Sequence, residues 1–303
     1  MKMKLILALL LTSFVLTGCA TPAANSSSVA DRDPLQIDTA HPPALAALNF
    51  DSYGDRINGI LYQANGAGPH PTVILLHGYP GNEKNLDLAQ SLRRAGYNVL
   101  FFHYRGAWGS SGEFSLTHVI EDVGSAADFL RKNANEYRVD QDRLLIIGHS
   151  MGGFAALQGA ARDEAITCVA AIAPADVGLI AARFLEADAE LAQRSAARAD
   201  TLTMLNGWSG EKMIAERQAN RDAFSLIDLA PNLAGKSVLL IAGDRDSVLA
   251  PDIFHTPLVA AYANQPNITL AHAVIPGDHA FSWSRFELTD TVLDWAQSCK
   301  PTP

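Results

Sequence analysis

Cysteine is scarce: Cys19, Cys168 and Cys299 are the only three in 303 residues, and no two form a Cys-x-x-Cys pair. That spacing argues against a thiolate zinc site and against a disulfide-dense scaffold. Positive charge is also thin. Lys and Arg total 23 against 32 Asp and Glu, for a formal charge of −9, and no segment gathers a basic run. Binding to a phosphate backbone needs such a patch, so nucleic acid is excluded as a partner. The apolar run over residues 5–16 is twelve residues long, short of the roughly 20 that an ordinary membrane-spanning helix requires. Internal repeats are absent.

What remains is a chain with 48% hydrophobic and 18% charged residues, enough to bury a sizeable core in one large domain or two small ones. Residues 50–53 and 57–62 flank Gly54-Asp55 and predict an N-terminal hairpin. Thr72-Val73-Ile74-Leu75-Leu76 is a continuous apolar run of the kind buried on both faces of a sheet. Helices over 85–95, 118–133, 151–161, 252–263 and 286–297 alternate with strands over 98–104, 143–147, 166–173, 237–242 and 267–275. This alternation predicts an α/β fold with a mostly parallel central sheet and helices on both faces. From about 176 to 228 it stops, and an Ala-rich stretch with Leu179, Phe184, Leu202, Met204, Leu205, Trp208 and Met213 reads as a helical cap insertion. Those apolar residues are either the inner face of packing helices or the wall of an acyl pocket.

Gly148-His149-Ser150-Met151-Gly152 follows a predicted strand and precedes a predicted helix, the context a G-x-S-x-G nucleophile turn needs. The turn strains the serine, so the residues two before and two after it must be small for backbone to pass. The helix that begins at Met151 aims free N–H groups at the site, where negative charge can develop. A serine hydroxyl becomes a good nucleophile only when a histidine takes its proton and a carboxylate orients that histidine. Downstream, Asp246 lies in Gly243-Asp244-Arg245-Asp246 and His279 in Gly277-Asp278-His279, each after a predicted strand. Asp244 and Asp252 compete with Asp246 for the acid role, and Asp278 reads as a turn residue.

His77-Gly78-Tyr79-Pro80-Gly81, Tyr104-Arg105-Gly106, the serine turn and the two downstream loops together resemble the α/β-hydrolase superfamily over roughly residues 48–298. Within it the chain is most similar to prolyl oligopeptidase-like (S9) and dienelactone-hydrolase-like catalytic domains. The resemblance implies Ser150 as nucleophile, His279 as general base and then acid, and Asp246 as its orienting carboxylate. It further implies an oxyanion hole from the backbone N–H groups of Tyr79 and Met151, with no metal and no organic cofactor. His77 and His149 are assigned structural roles beside the site, and Arg105 is read as tying down its own loop.

The N-terminus carries Lys2 and Lys4, then the apolar run, then Leu16-Thr17-Gly18-Cys19. This is the pattern of a secretory signal, and its end resembles the bacterial lipobox, which implies lipidation of Cys19. Residues 1–18 are then a lipoprotein signal peptide, 19–45 a flexible tether and 46–300 the hydrolase domain. By the same resemblance Ala20 favours the outer membrane of a bacterial cell envelope, with the membrane as a partner through the lipid anchor. The functional expectation is a serine hydrolase that cleaves carboxylic esters of small-molecule substrates. The alternatives are an S9-like peptidase acting on short peptides and a non-catalytic envelope binding lipoprotein. The sequence leaves open the substrate, the oligomeric state and whether Cys168 pairs with Cys299.

Overall fold

The computed structural model describes Asp33 and residues 36–299, so the signal segment and Cys19 lie outside the described residues. Strands β1 (Ala44–Ser52) and β2 (Asp55–Gln63) pair antiparallel. They turn through Tyr53 and Gly54, both at positive φ (54° and 88°), the twist a two-residue hairpin loop favours. β1 begins at Ala44, two residues ahead of the boundary read at 46, because Ala44 and Leu45 pair with Gln63 and Tyr62.

Strand β2 continues antiparallel to β4 (Asn98–His103), while β3 (His70–Leu76), β5 (Val139–His149), β6 (Cys168–Ile172), β7 (Ser237–Gly243) and β8 (Thr269–Ile275) run parallel with β4. The order across the eight strands is β1-β2-β4-β3-β5-β6-β7-β8. Side chains alternate faces with a period of two. Ile74, Leu76, Leu100, Phe102 and Ile146 enter one core with α2 (Leu116–Lys132), α4 (Met151–Arg162) and α8 (Pro251–Ala263). Val73, Leu75, Val99, Phe101 and Ile147 enter the other with α1 (Leu86–Arg94) and α9 (Arg285–Ser298). Each fully buried aliphatic side chain contributes about 1.5–3 kcal/mol. Both faces are therefore covered, which is why the central strands read as unbroken apolar runs.

From β3 the chain moves outward to β4, but from β5 it proceeds the other way through β6, β7 and β8. The loops leaving the carboxyl ends of the neighbouring strands β3 and β5 consequently diverge and open a crevice between them.

Between β6 and β7 lie α5 (Val177–Ile180), a π-helical turn (Ala181–Leu185), α6 (Ala189–Asp200) and α7 (Gly210–Ala219). Asp176 fastens both ends of this insertion: one carboxylate oxygen accepts from Leu179 N (2.9 Å) and the other from Leu226 N (3.1 Å). Glu216 of α7 accepts from the amides of Leu116 and Thr117, each at 2.9 Å, at the start of α2, where a carboxylate meets the positive end of the helix dipole. A disulfide joins Cys168, at the start of β6, to Cys299, just past α9. No helix among the described residues is long and apolar enough to cross a membrane.

Candidate active site

Ser150 stands between β5 and α4 at φ 58° and ψ −119°. A non-glycine residue there is strained by about 1–3 kcal/mol, and three backbone bonds hold it: Ser150 N donates to Ile172 O (2.8 Å), and Phe154 N and Ala175 N donate to Ser150 O (3.1 Å each). A Cβ on Gly148 would sit 1.9 Å from Gly152 O, and one on Gly152 would sit 2.3 Å from Leu76 O. Both obstacles are backbone atoms, so these two positions admit only glycine in this conformation.

Asp246 follows β7 and is 4% exposed. Its Oδ1 accepts from Val248 N and Leu249 N, both at 2.8 Å, and its Oδ2 lies 2.7 Å from His279 Nδ1. A carboxylate only accepts, so the imidazole proton belongs on Nδ1 and Nε2 is left with its lone pair. Nε2 is 3.0 Å from Ser150 Oγ, so the serine hydroxyl donates to it. Three residues from three loops thus form one hydrogen-bonded line. The competing carboxylates go elsewhere: Asp244 accepts from Gly277 N (2.9 Å), Asp278 accepts from Ser282 N and Oγ (2.8 and 2.7 Å), and Asp252 lies in the first turn of α8.

The loop after β3 is braced from beneath. His77 Nδ1 donates to Gly78 O at 2.8 Å, which leaves Nε2 to accept from His103 Nδ1 at 3.2 Å. Burial pushes His77 down to about 3 and His103 to about 4, so both are neutral at pH 7. Trp108 Nε1 donates to Pro80 O (2.7 Å) and Tyr104 Oη to His77 O (3.0 Å). Neither Tyr79 nor Met151 spends its amide on a turn or loop bond among the described residues, and both residues line the cavity in which Ser150 and His279 stand. Arg105 binds Asp122 through Nε (2.6 Å) and through its own amide (2.7 Å), fixing the loop after β4 to α2.

The Ser150 cavity has a volume of about 390 Å3, with Val177, Ile180, Leu116 and Leu249 among its apolar walls. A larger depression of about 640 Å3 beside Asn49, Tyr53, Glu121 and Asp128 contains no histidine beside a nucleophile, so size alone does not select the site. No group of three or more His, Cys, Asp or Glu that could hold a metal ion occurs among the described residues.

None of the seven apolar residues noted in the insertion lines the Ser150 cavity. Leu205, Trp208 and Met213 are buried in the main core, and Leu179 and Phe184 pack in a smaller cluster with Phe254. The insertion instead contributes Val177, Ile180, Arg198 and Arg217 to the cavity wall. Two further contacts had no sequence signal: Trp208 Nε1 donates to Tyr79 Oη at 3.0 Å, and His149 Nε2 to the carbonyl oxygen of His279 at 2.7 Å. Each joins residues about 130 positions apart, beyond the reach of any local pattern.

A sequence model of the "Alpha/beta hydrolase family" matches residues 73–290. Among curated proteins, YfhR of Salmonella typhimurium, an uncharacterized protein, is 36% identical over 83 residues, 27% of this chain and 27% of that protein. Esterase EstD of Thermotoga maritima is 29% identical over 142 residues, 42% of this chain and 33% of that protein. The chain thus covers only about a quarter to a third of the length of these relatives. Among solved structures, Est1E of Butyrivibrio proteoclasticus superposes with a TM-score of 0.62 at 20% identity, covering 83% of this chain and 98% of that one. The acylaminoacyl peptidase of Pyrococcus horikoshii gives 0.64 at 16% identity, covering 88% and 42%. At these identities the likeness is one of fold.

Proposed function

The chain belongs to the alpha/beta hydrolase family, and we propose that it is a serine carboxylesterase working through an acyl-enzyme on Ser150. The observation that carries this reading is the line Ser150 Oγ, His279 Nε2, His279 Nδ1, Asp246 Oδ2, with spacings of 3.0 and 2.7 Å at its two joints, opening into a cavity with apolar walls. In this reading Ser150 Oγ attacks the ester carbonyl while His279 Nε2 takes its proton, and Asp246 stabilises the imidazolium that forms. The carbonyl oxygen gathers negative charge against the amides of Tyr79 and Met151, each donor contributing about 2.7–4 kcal/mol to the transition state. His279 then returns the proton to the departing alcohol. A water activated by the same Nε2 attacks the acyl-enzyme, and the acid leaves.

An active-site-directed fluorophosphonate tests it. The folded protein takes one label at Ser150, and Ser150→Ala and His279→Ala each lose turnover of p-nitrophenyl butyrate by about 10³-fold or more, because the groups act as a unit. An unlabelled Ser150 in folded protein would mean a non-catalytic binder. Faster hydrolysis of aminoacyl p-nitroanilides than of p-nitrophenyl esters would instead favour the peptidase reading.

The lipobox-like Leu16-Thr17-Gly18-Cys19 supports a further proposal, that the enzyme is lipid-anchored through Cys19 in the bacterial cell envelope, at the outer membrane. The Cys168–Cys299 disulfide accords with an oxidising compartment. Cys19→Ala should leave the enzyme active and release it from membranes; retention in the membrane fraction sinks the anchor.

A further inference from the structure

Arg217 of α7 lines the Ser150 cavity, and its guanidinium makes no hydrogen bond or ion pair to any described residue; Nε has no solvent contact and no partner. Arg217 is half-buried, with its Nε fully shielded, and a cation partly withdrawn from water without a hydrogen-bonding partner is costly. The acids that could have served are engaged elsewhere. Neighbouring Glu216 attracts Arg217 electrostatically but spends its hydrogen bonds at the start of α2, accepting from Leu116 N, Thr117 N and Thr117 Oγ1. Glu83, the one carboxylate among the described residues that line the cavity, is exposed and accepts from Asn85 N. Burial draws the Arg217 pKa down from its ordinary value, yet a guanidinium remains charged at neutral pH.

Arg217 has company. Arg198 of α6, an exposed residue, lines the same cavity as a second cation. Tyr79 Oη accepts from Trp208 Nε1 and donates to nothing described, so its proton is free and the indole holds it in place. Both arginines act electrostatically on the Tyr79 hydroxyl, which places all three groups in one neighbourhood. The cavity that holds the serine thus offers three donors, two of them cationic, amid apolar side chains.

Building on the esterase reading, we propose that Arg217, with Arg198 and the Tyr79 hydroxyl, forms an anion subsite that selects ester substrates bearing a carboxylate over neutral ones of the same size. A planar guanidinium matches a carboxylate in two-point geometry, and in a half-enclosed apolar cavity that pairing is far stronger than in water. The insertion then sets substrate choice by supplying charge, while its apolar residues hold it to the core.

The test compares p-nitrophenyl hemiglutarate, which carries a carboxylate on its acyl chain, with neutral p-nitrophenyl pentanoate. A second pair carries the anion on the alcohol side: the butyryl ester of 4-hydroxybenzoate against that of 4-hydroxybenzamide. The native enzyme should show higher kcat/KM for the anionic member of at least one pair. Arg217→Gln should reduce that ratio by about ten- to a hundredfold, the worth of a charge-assisted hydrogen bond, and Arg198→Gln by a smaller factor. Equal handling of both members of both pairs by the native enzyme overturns the proposal, as does a ratio unmoved in both variants. Fluorophosphonate labelling of Ser150, measured on the same samples, keeps this outcome separate: a labelled serine without anion preference removes the subsite alone, and an unlabelled one removes the esterase reading beneath it.

Discussion

His149 donates through Nε2 to the carbonyl oxygen of His279 at 2.7 Å, so the residue just before the candidate nucleophile grips the backbone of the candidate base. The residue is 4% exposed, its Nδ1 has no hydrogen-bond partner among the described residues, and burial pushes its pKa to about 4. It is therefore neutral at pH 7 and works as a fixed donor. That clamp sets the distance from β8's loop to the serine turn.

Removing the clamp should cost rate more than binding. His149→Ala is expected to lower kcat for p-nitrophenyl butyrate about ten- to a hundredfold with KM little changed, since a displacement of about 1 Å at the reacting groups can cost 10²-fold. His149→Gln, whose amide N–H can still donate, should recover much of the loss. An undiminished kcat in folded His149→Ala would dismiss the positioning role.

Stability should fall on acidification below neutrality. Burial holds His77 at about 3 and His103, His149 and His255 at about 4, all beneath the ordinary 6.5. Between about pH 6.5 and 4 the unfolded chain binds protons that the folded one refuses, so the stabilisation is complete above 6.5 and is lost as pH drops towards 4. His255 is the cleanest probe, because it is 4% exposed and neither ring nitrogen has a hydrogen-bond partner among the described residues. His255→Leu should flatten the dependence of unfolding free energy on pH by about 1.4 kcal/mol per pH unit in that window. Urea titrations at pH 7, 6 and 5 with parallel native and variant slopes would contradict this.

The disulfide should contribute to stability and leave chemistry alone. It closes a separation of 131 residues, and losing such a link typically costs about 2–4 kcal/mol. Cys168 pairs in register with Leu145, four residues before His149, about 13 Å along the strand from the serine turn. Cys299→Ser should lower the denaturation midpoint while kcat/KM for p-nitrophenyl butyrate holds within about twofold. An unchanged midpoint would show that the bridge adds nothing.

Much of the sheet could be read from the chain because burial on both faces leaves unbroken apolar runs, as over residues 72–76. The hairpin was equally plain, although its turn falls at Tyr53-Gly54, one residue before the Gly54-Asp55 read from the chain. Less legible was the start of β5: Val139-Asp140-Gln141-Asp142 has no apolar alternation, yet the strand begins there, with Val139 pairing with His70. The insertion left two readings open in the chain, and the structure selects the packing one. Its aromatic and aliphatic residues turned inward to the core, and the cavity wall fell to Val177, Ile180 and two arginines.

By itself the sequence determined the serine turn, because the requirement for tiny residues at 148 and 152 is a local steric matter, met or failed within five positions. It also determined the alternating layers, since face-to-face burial writes a period into the residues. Only the tertiary structure decided which aspartate reaches His279, that Cys168 and Cys299 are bridged, and that Arg217 lines the cavity with no hydrogen bond to a described residue. Those outcomes depend on where separate loops come to rest in space, and a residue's neighbours 30 to 130 positions away leave no trace in its local pattern.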